Sequence, residues 1–286
     1  MSRWGNAKKM SIIRPKTLAA TLGACAIAIG STASLADEGA AGDAEQIIVT
    51  GEKVGYIAVK SAGLKTDIPL LDTPQSVSVF TKEQIEHQAL QDIGDVLRYA
   101  PGISINQGEG HRDQISIRGQ NTTADFFLDG IRDDVQYFRP LYNLDRIEIH
   151  KGANALIFGR GGGGGNINRV TKTPEAGEQF VHLNGSGDTF GAYQCTLDSN
   201  AAIGERTAIR FNALAEGFEN HRDFFDGDRY AINPTIAATL TDKTRVQFSY
   251  EYVNDDRVVD RGVPAVTGGS ITSPAGPVKG FDDTFF

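Results

Sequence analysis

The sequence predicts an α+β domain followed by the first antiparallel strands of a transmembrane β-barrel, and three features of the chain predict this fold class. The N-terminus has the basic and apolar segments that are typical of an export signal. Residues 69–175 mix helix and strand patterns, whereas residues 176–286 show strand patterns alone. These later segments alternate apolar and polar residues over about ten positions, as outer-membrane barrels do. A soluble β-sandwich alternates in the same way, and the pattern alone does not exclude it.

Residues 1–36 are predicted to be a signal peptide. Residues 1–16 carry five basic residues and no acidic one, and an apolar run follows from Thr17 to Gly30. The small residues that end at Ala36 fit a cleavage site. The apolar run is too short for a membrane-spanning helix, which needs about 20 apolar residues. Cleavage after Ala36 is the first interpretation, and a lipoprotein-type site at Cys25 is the second.

The amino-acid composition argues against a nucleic-acid-binding surface. The chain has 28 basic and 36 acidic residues, and cleavage would leave 23 basic residues against the same 36 acidic ones. A nucleic-acid-binding surface would be basic. Cleavage would also leave Cys195 as the single cysteine, so we expect no internal disulfide. A membrane location for this sequence therefore predicts a β-barrel, since a spanning structure must satisfy its own backbone hydrogen bonds.

The mixed block begins with a strand at residues 76–80 and a helix whose N-cap is Thr81. Gln84 stands three residues after Thr81, which completes a capping box, and this helix ends near Gln88. A second helix is predicted from Asp92 to Tyr99, because Pro and Gly follow it. Further strands are predicted at residues 103–105, 115–118, 126–128, 146–150 and 167–172, with a tight turn at residues 129–130.

The region after residue 176 is predicted to hold about five strands, at residues 179–187, 193–201, 208–217, 230–240 and 245–253. Short and long connections follow one another between them, as in outer-membrane barrels. Because the smallest transmembrane barrels have about eight strands, we expect the barrel to be incomplete. The sequence is then expected to be the front part of a longer protein and to be inactive alone.

Four stretches of this sequence resemble the family of TonB-dependent receptors, and they occur in the family's order between the export signal and the strand region. The stretches are Glu45-Gln46-Ile47-Ile48-Val49-Thr50-Gly51, then Asp72–Val77 with Ala100–Ile103, then Ile115–Gly119 with Phe127–Gly130, and finally Asp145–Gly152 with Phe158–Asn168. Each stretch is weak alone, but the four in this order and at this spacing are specific to the family.

The resemblance implies a plug domain at residues 69–175 inside a barrel of about 22 strands. It also implies that residues 45–51 are a TonB box, within a periplasmic tether at residues 37–68. An extended apolar strip of this kind suits capture by strand addition, in which backbone bonds give affinity. The implied function is import of a ferric siderophore across the outer membrane, energised by TonB and its inner-membrane complex, with outer-membrane lipid around a monomer and no enzymatic cofactor.

The resemblance also suggests residues for two roles. Arg112, Tyr137, Phe138 and Arg139 are expected at the ligand-binding apex of the plug, where cations and aromatic rings suit an anionic, aromatic siderophore. A catecholate type is the first expectation, with hydroxamate, cobalamin and heme as alternatives. Arg118 and Arg160 match the arginines that lock the plug to barrel glutamates in the family, and those glutamates are expected beyond residue 286.

Two other functions remain as alternatives. A passive outer-membrane porin or a periplasmic binding module would have no use for Ile47–Val49. A nucleotide-dependent enzyme would use the formal dinucleotide motif at Gly159, Gly161 and Gly164, but that motif needs a following helix, and residues 166–172 alternate like a strand. We therefore expect a closely packed backbone turn there and no enzyme.

No metal site is predicted. The five histidines show no spacing typical of metal ligands, and the aspartate pairs are interpreted as solvated loop residues. These residues are His87, His111, His150, His182 and His221, and the pairs Asp133-Asp134 and Asp255-Asp256.

Overall fold

The computed structural model describes most of the chain between residues 55 and 262. The described residues are 55–56, 58, 60–61, 63, 69–106, 110–122, 125–152, 155–159 and 163–262. All of them belong to one unit, Thr50–Phe286. The predicted signal peptide, the predicted TonB box and Arg160 lie outside the described residues.

The described residues of the range 69–175 form an α+β region, called the mixed domain below, around a five-stranded sheet. The sheet order is β1-β7-β8-β5-β6, and only the β5–β8 pair is parallel. Its strands are β1 (Ser76–Thr81), β5 (Phe126–Leu128), β6 (Ile131–Arg132), β7 (Leu144–Lys151) and β8 (Gly165–Thr171). The helices are α1 (Lys82–His87), α2 (Ile93–Arg98) and α3 (Ala155–Phe158), and a 3-10 turn covers Leu70–Asp72.

The two predicted helix starts are confirmed at the level of single hydrogen bonds. The Thr81 hydroxyl accepts a bond from the amide of Gln84 at 3.4 Å, and Asp92 accepts one from the amide of Asp95 at 2.7 Å. Each cap satisfies one of the backbone N–H groups that a helix leaves unpaired at its start. The caps therefore fix where α1 and α2 begin.

A second sheet of the mixed domain contains three short strands, β2 (Ile103–Asn106), β3 (Gln114–Ile117) and β4 (Gln120–Thr122). Arg118 and Gly119 connect β3 to β4, and both have positive φ. Asp129 and Gly130, which connect β5 to β6, also have positive φ, as the predicted tight turn requires. The core of the domain packs the buried side chains of α2, β3 and β7 together, among them Val96, Leu97, Ile115, Ile147 and Ile149.

The described residues after 176 form one antiparallel sheet, called the wall sheet below. Its strands are β9 (Phe180–Gly187), β10 (Tyr193–Ala202), β11 (Thr207–Glu219), β12 (Asp226–Thr241), β13 (Thr244–Ser249) and β14 (Tyr252–Arg257). Both β13 and β14 pair with β12. The two strands follow one another along the same edge of β12. The break between them lies opposite Pro234, which has no N–H to donate to a neighbouring strand. Four of the five predicted strands are thereby confirmed, and the fifth, predicted as continuous over residues 245–253, is divided between β13 and β14.

The two faces of the wall sheet differ in polarity. On β11 the buried residues include Arg210, Asn212 and Glu216, and they face the mixed domain. On β12 the exposed positions include Tyr230, Ile232, Ile236 and Leu240. This separation follows from the period of two along a strand, and it gives an apolar face suited to lipid.

The ends of the wall sheet also differ. The β10–β11 and β12–β13 connections cover residues 203–206 and 242–243, whereas the β11–β12 connection covers residues 220–225. The β9–β10 connection, residues 188–192, lies at the same end as the β11–β12 connection, called the long-loop end below. Within the part of the chain that the structure describes, none of the helices is long and apolar enough to cross a membrane.

Candidate ligand-binding apex and domain contacts

Two loops of the mixed domain, at residues 110–113 and 132–139, reach the long-loop end of the wall sheet. Gly110 lies so close to residue 260 that a Cβ at this glycine would stand 2.1 Å from the backbone oxygen of Asp260. The guanidinium of Arg257 lies 4.6 Å from the ring centroid of Phe138, and Arg229 donates a bond of 3.5 Å to the Phe138 carbonyl. These loops are called the apex below.

The apex is built around the carboxylate of Asp133. Its Oδ2 accepts bonds from Arg139 Nε at 3.0 Å, from Arg169 Nη2 at 2.5 Å and from the Tyr137 hydroxyl at 3.0 Å. Asp133 was expected in a solvated loop, and that expectation is wrong. Its side chain is only 13% exposed and lies between two guanidinium groups that are nearly inaccessible to water. The carboxylate neutralises both of these buried positive charges.

Arg139 holds the apex loop together from inside. Its guanidinium is 1% exposed and donates to the carbonyls of Val135 at 2.6 Å and Asp133 at 3.1 Å. It also stacks over the rings of Phe126 and Tyr137, at 4.0 and 4.6 Å from their centroids. These bonds occupy the guanidinium within the protein and make Arg139 a residue that shapes the loop.

Burial changes the acid–base behaviour of two apex groups. It raises the pKa of Asp113 to about 6, although the amide and guanidinium of Arg139 act in the opposite direction. It also raises the pKa of the Tyr137 hydroxyl, against the lowering effect of Arg169. Tyr137 therefore stays a neutral hydroxyl that can donate a hydrogen bond at neutral pH.

The four predicted apex residues lie on the two apex loops but have different surroundings. Arg112, Tyr137 and Phe138 are half-buried, and Arg139 is buried. Arg118, expected to lock the plug to the barrel, is exposed at a turn with a φ of +50°. Arg160, its expected companion, lies outside the described residues.

Sequence reasoning missed the ionic contact that joins the mixed domain to the wall sheet. The carboxylate of Asp198 on β10 lies 3.3 Å from Lys82 Nζ and 3.1 Å from Lys172 Nζ, both from the mixed domain. Arg210 on β11 donates to both oxygens of the same carboxylate, at 2.8 and 2.9 Å. We call these four residues the Asp198 cluster. Burial lowers the pKa of Lys172, an effect that Asp198 opposes.

A second contact between the two parts involves Glu251, in the interruption between β13 and β14. Its Oε1 accepts bonds from the Tyr142 hydroxyl at 3.1 Å and from the Asn143 amide at 2.9 Å. Burial, followed by the nearby Glu251 charge, raises the pKa of Tyr142. Asp198 and Glu251 lie at the polar positions of alternating apolar and polar segments. The alternation does not predict which residues they bind.

A cleft of about 250 Å³ lies beside the Asp198 cluster, between the two parts. Lys82, Leu90 and Tyr142 line it from the mixed domain, and Asn184 and Asp198 line it from the wall sheet. The contact between the mixed domain and the wall sheet is thus partly polar and incompletely packed.

The described end of the glycine-rich loop, Gly163–Gly165, is closely packed. A Cβ at Gly164 would stand 2.3 Å from the carbonyl oxygen of Ile117, and one at Gly165 would stand 2.3 Å from that of His150. Strand β8 follows, where a dinucleotide site needs a helix. Within the described ranges, no group of three or more His, Cys, Asp or Glu side chains is placed to hold a metal ion.

Comparisons of this chain with a family model and with known proteins agree on one family. Residues 69–166 match the TonB-dependent Receptor Plug Domain. The chain is 36% identical over 242 residues to the probable TonB-dependent receptor BfrD of Bordetella pertussis, which covers 80% of this chain and 32% of that protein.

Solved structures agree in fold. The siderophore receptor PiuA from Acinetobacter baumannii superposes with a TM-score of 0.69 at 32% identity, over 74% of this chain and 31% of that one. The open form of the ferric-catecholate import receptor Fiu from E. coli K12 gives a TM-score of 0.66 at 29% identity, over 72% of this chain and 31% of that one. The chain therefore spans about a third of the length of these relatives.

Proposed function

Since the chain belongs to the family of TonB-dependent receptors, whose members are receptors and not enzymes, we propose that it is part of an outer-membrane importer of a ferric siderophore. The observation that carries the proposal is the apex, where loops of the mixed domain meet the long-loop end of the wall sheet. In outer-membrane barrels the longer loops are extracellular. Ligand arriving from outside would therefore meet the apex first.

The chemistry of the apex supports an anionic, aromatic cargo. Tyr137 and Phe138 are half-buried, and the guanidinium of Arg257 lies 4.6 Å from the Phe138 ring centroid. Arg112 is also half-buried and precedes Asp113, whose backbone amide donates to the Tyr137 carbonyl at 3.3 Å. Aromatic rings and guanidinium groups recognise catecholate rings and their negative charge by stacking and charge-assisted hydrogen bonds. Arg139 would act indirectly by fixing the loop that presents Tyr137. The names of PiuA and Fiu, a siderophore receptor and a ferric-catecholate receptor, support this class of cargo.

Import requires a path past the mixed domain, and the domain contacts suggest where it would open. The Asp198 cluster and the Glu251 contact are polar, and a cleft already separates part of the interface. Polar contacts can be exchanged for water more readily than an apolar interface can. We propose that energised movement of the mixed domain loosens these contacts.

The energy source in this proposal is TonB, together with its inner-membrane complex, and it acts on residues 45–51. Strand addition to Ile47–Val49 would depend on backbone hydrogen bonds. The importer would act as a monomer surrounded by outer-membrane lipid, with the ferric siderophore as cargo and no enzymatic cofactor.

The test is the change of Ile48 to proline in the receptor that carries this sequence, with Ile48→Val as the matched control. Proline removes one backbone donor and restricts φ, whereas valine keeps both backbone groups and the apolar face. We expect Ile48→Pro to abolish uptake of a radiolabelled ferric catecholate while its binding to the cell surface stays unchanged. Uptake at the level of the control would contradict energy coupling through this segment.

A further inference from the structure

One face of the central sheet of the mixed domain is polar and yet buried. Ile147 and Ile149 of β7 point into the apolar core, so Arg146, Glu148 and His150 point to the opposite face. Glu148 and His150 are each 0% exposed. A buried carboxylate is costly unless hydrogen-bond donors surround it. The groups that cover this face therefore decide how much the buried charge of Glu148 costs the folded state.

Part of that cover comes from β7 itself and from its neighbour β8. Arg146 Nε donates to Oε1 of Glu148 at 2.9 Å, and the amide of Asn168, directly opposite on β8, donates to Oε2 at 3.3 Å. The Nε2 atom of His150 lies 3.4 Å from the same oxygen.

Among the described residues, two close contacts to Oε2 come from the segment that follows the predicted TonB box. The Ser61 hydroxyl donates to it at 2.7 Å, and the backbone amide of Gly63 donates at 2.9 Å. Ser61 is 7% exposed, and Gly63 is buried as well. Two residues that precede the mixed domain thus complete the solvation of a carboxylate at its centre.

The space around Gly63, called the tether seat below, has no room for a side chain. A Cβ at this position would stand 2.7 Å from Phe158 Cζ, 2.8 Å from His150 Nε2 and 3.0 Å from Glu148 Oε2. A weaker contact lies further towards the N-terminus, where the exposed Tyr56 hydroxyl and the Nδ1 atom of His87 are 2.8 Å apart. The segment is therefore held strongly at Ser61 and Gly63 and weakly at Tyr56.

We propose that Glu148 is the positioning residue that holds the tether behind the predicted TonB box, and that Ser61 and Gly63 are its counterpart. This inference rests on the proposed function, since it gives that tether a purpose. Gly51 and Ser61 are ten residues apart. An extended chain spans at most about 3.5 Å per residue, so a chain pulled straight covers at most about 35 Å between Gly51 and Ser61.

The consequence is that the tether can leave while the sheet stays folded. When Ser61 and Gly63 leave, Glu148 loses two donors to Oε2 and water must replace them. Arg146 and Asn168 still donate to the carboxylate, and β7 stays bonded to both β1 and β8. Release of the tether is thus a local event at Ser61 and Gly63.

The experiment measures amide hydrogen exchange in peptides covering residues 55–63, β7 and β8, on the full chain in detergent micelles. Ser61→Ala removes one donor, Gly63→Ala disturbs the seat, and Ser104→Ala, at an exposed serine of β2, is the matched control. We expect about tenfold faster exchange at residues 55–63 in the two tether variants, because a hydrogen bond to a charged group is lost or bent. Exchange in β7 and β8 should keep its wild-type rate.

Binding of the purified periplasmic domain of TonB is measured on the same samples, and it separates this inference from the proposed function. Faster exchange confined to residues 55–63, with tighter binding of the TonB domain, supports both. The same exchange result without TonB binding to any variant supports the tether seat and contradicts the proposed function. Unchanged exchange at residues 55–63, or an equal rise across β7 and β8, overturns the inference even when the TonB domain binds.

Discussion

The apex and the Asp198 cluster both bury arginine beside aspartate, but they join different parts of the molecule. At the apex, Asp133, Arg139 and Arg169 all belong to the mixed domain. In the Asp198 cluster, two cations of the mixed domain share a carboxylate with an arginine of the wall sheet. The first arrangement shapes a loop, whereas the second can be broken when one part moves against the other. In the proposed function, the same chemistry therefore serves rigidity in one place and release in the other.

The largest effect is expected from Asp133→Ala, which tests the rigid side of this comparison. The change leaves Arg139 and Arg169 buried without their shared carboxylate, and loss of one partner of a buried ion pair costs about 3–5 kcal/mol. Amide exchange at residues 132–139 should show a fall of that size in the local free energy of opening. Asp134→Ala is the control, since the Asp134 side chain is 59% exposed and its removal should cost less than about 0.5 kcal/mol. Equal effects of the two changes would contradict a structural role for the network.

The next effect is a pH dependence that arises from Asp113. Its pKa rises from an ordinary value of 3.8 to about 6 in the folded protein, so the folded state holds a proton that the unfolded chain releases between these values. The stability of the apex should therefore fall as pH rises through this window, by about 3 kcal/mol at most. Amide exchange at residues 110–113, corrected for intrinsic rates, should show this fall in the wild type and a flatter profile in Asp113→Asn. Identical profiles would exclude Asp113 as the titrating group.

A smaller effect is expected from Asp198→Asn, which tests the releasable side. Arg210 keeps a bond of 2.9 Å to Glu175, and Lys172 keeps one of 2.8 Å to the Tyr142 carbonyl, so part of the cluster survives. We expect a loss of about 2 kcal/mol in the local free energy of opening of α1, measured by amide exchange. Asp242→Asn is the matched control, because Asp242 is 90% exposed and pairs with an exposed arginine. An equal loss in the local free energy of opening at the apex would show that the two clusters are not independent.

The elements of the fold could be predicted where a local rule decides the structure. The period of two along β12 separates exposed from buried positions, and the caps at Thr81 and Asp92 set the helix starts. The short strands β4 and β6 and the helix α3 were not predicted, because two to four residues carry no period. The interruption opposite Pro234 was missed as well, since it arises from the neighbouring strand.

The candidate site was less predictable than the fold. Sequence placed Tyr137, Phe138 and Arg139 at the apex, but burial of Arg139 depends on carbonyls that its own loop folds around it. Asp198 and Lys82 are 116 positions apart, and Ser61 and Glu148 are 87 apart, so no spacing rule connects them. Long-range pairs of this kind become visible only in three dimensions.

The central claim is energy-coupled import of a ferric siderophore, and one measurement tests it most directly. Cells that produce the receptor carrying this sequence are given a radiolabelled ferric catecholate before and after a protonophore collapses the gradient of the inner membrane. The account predicts that uptake stops when the gradient collapses, while surface binding persists. Uptake that continues without the gradient would contradict the account and indicate a passive pore.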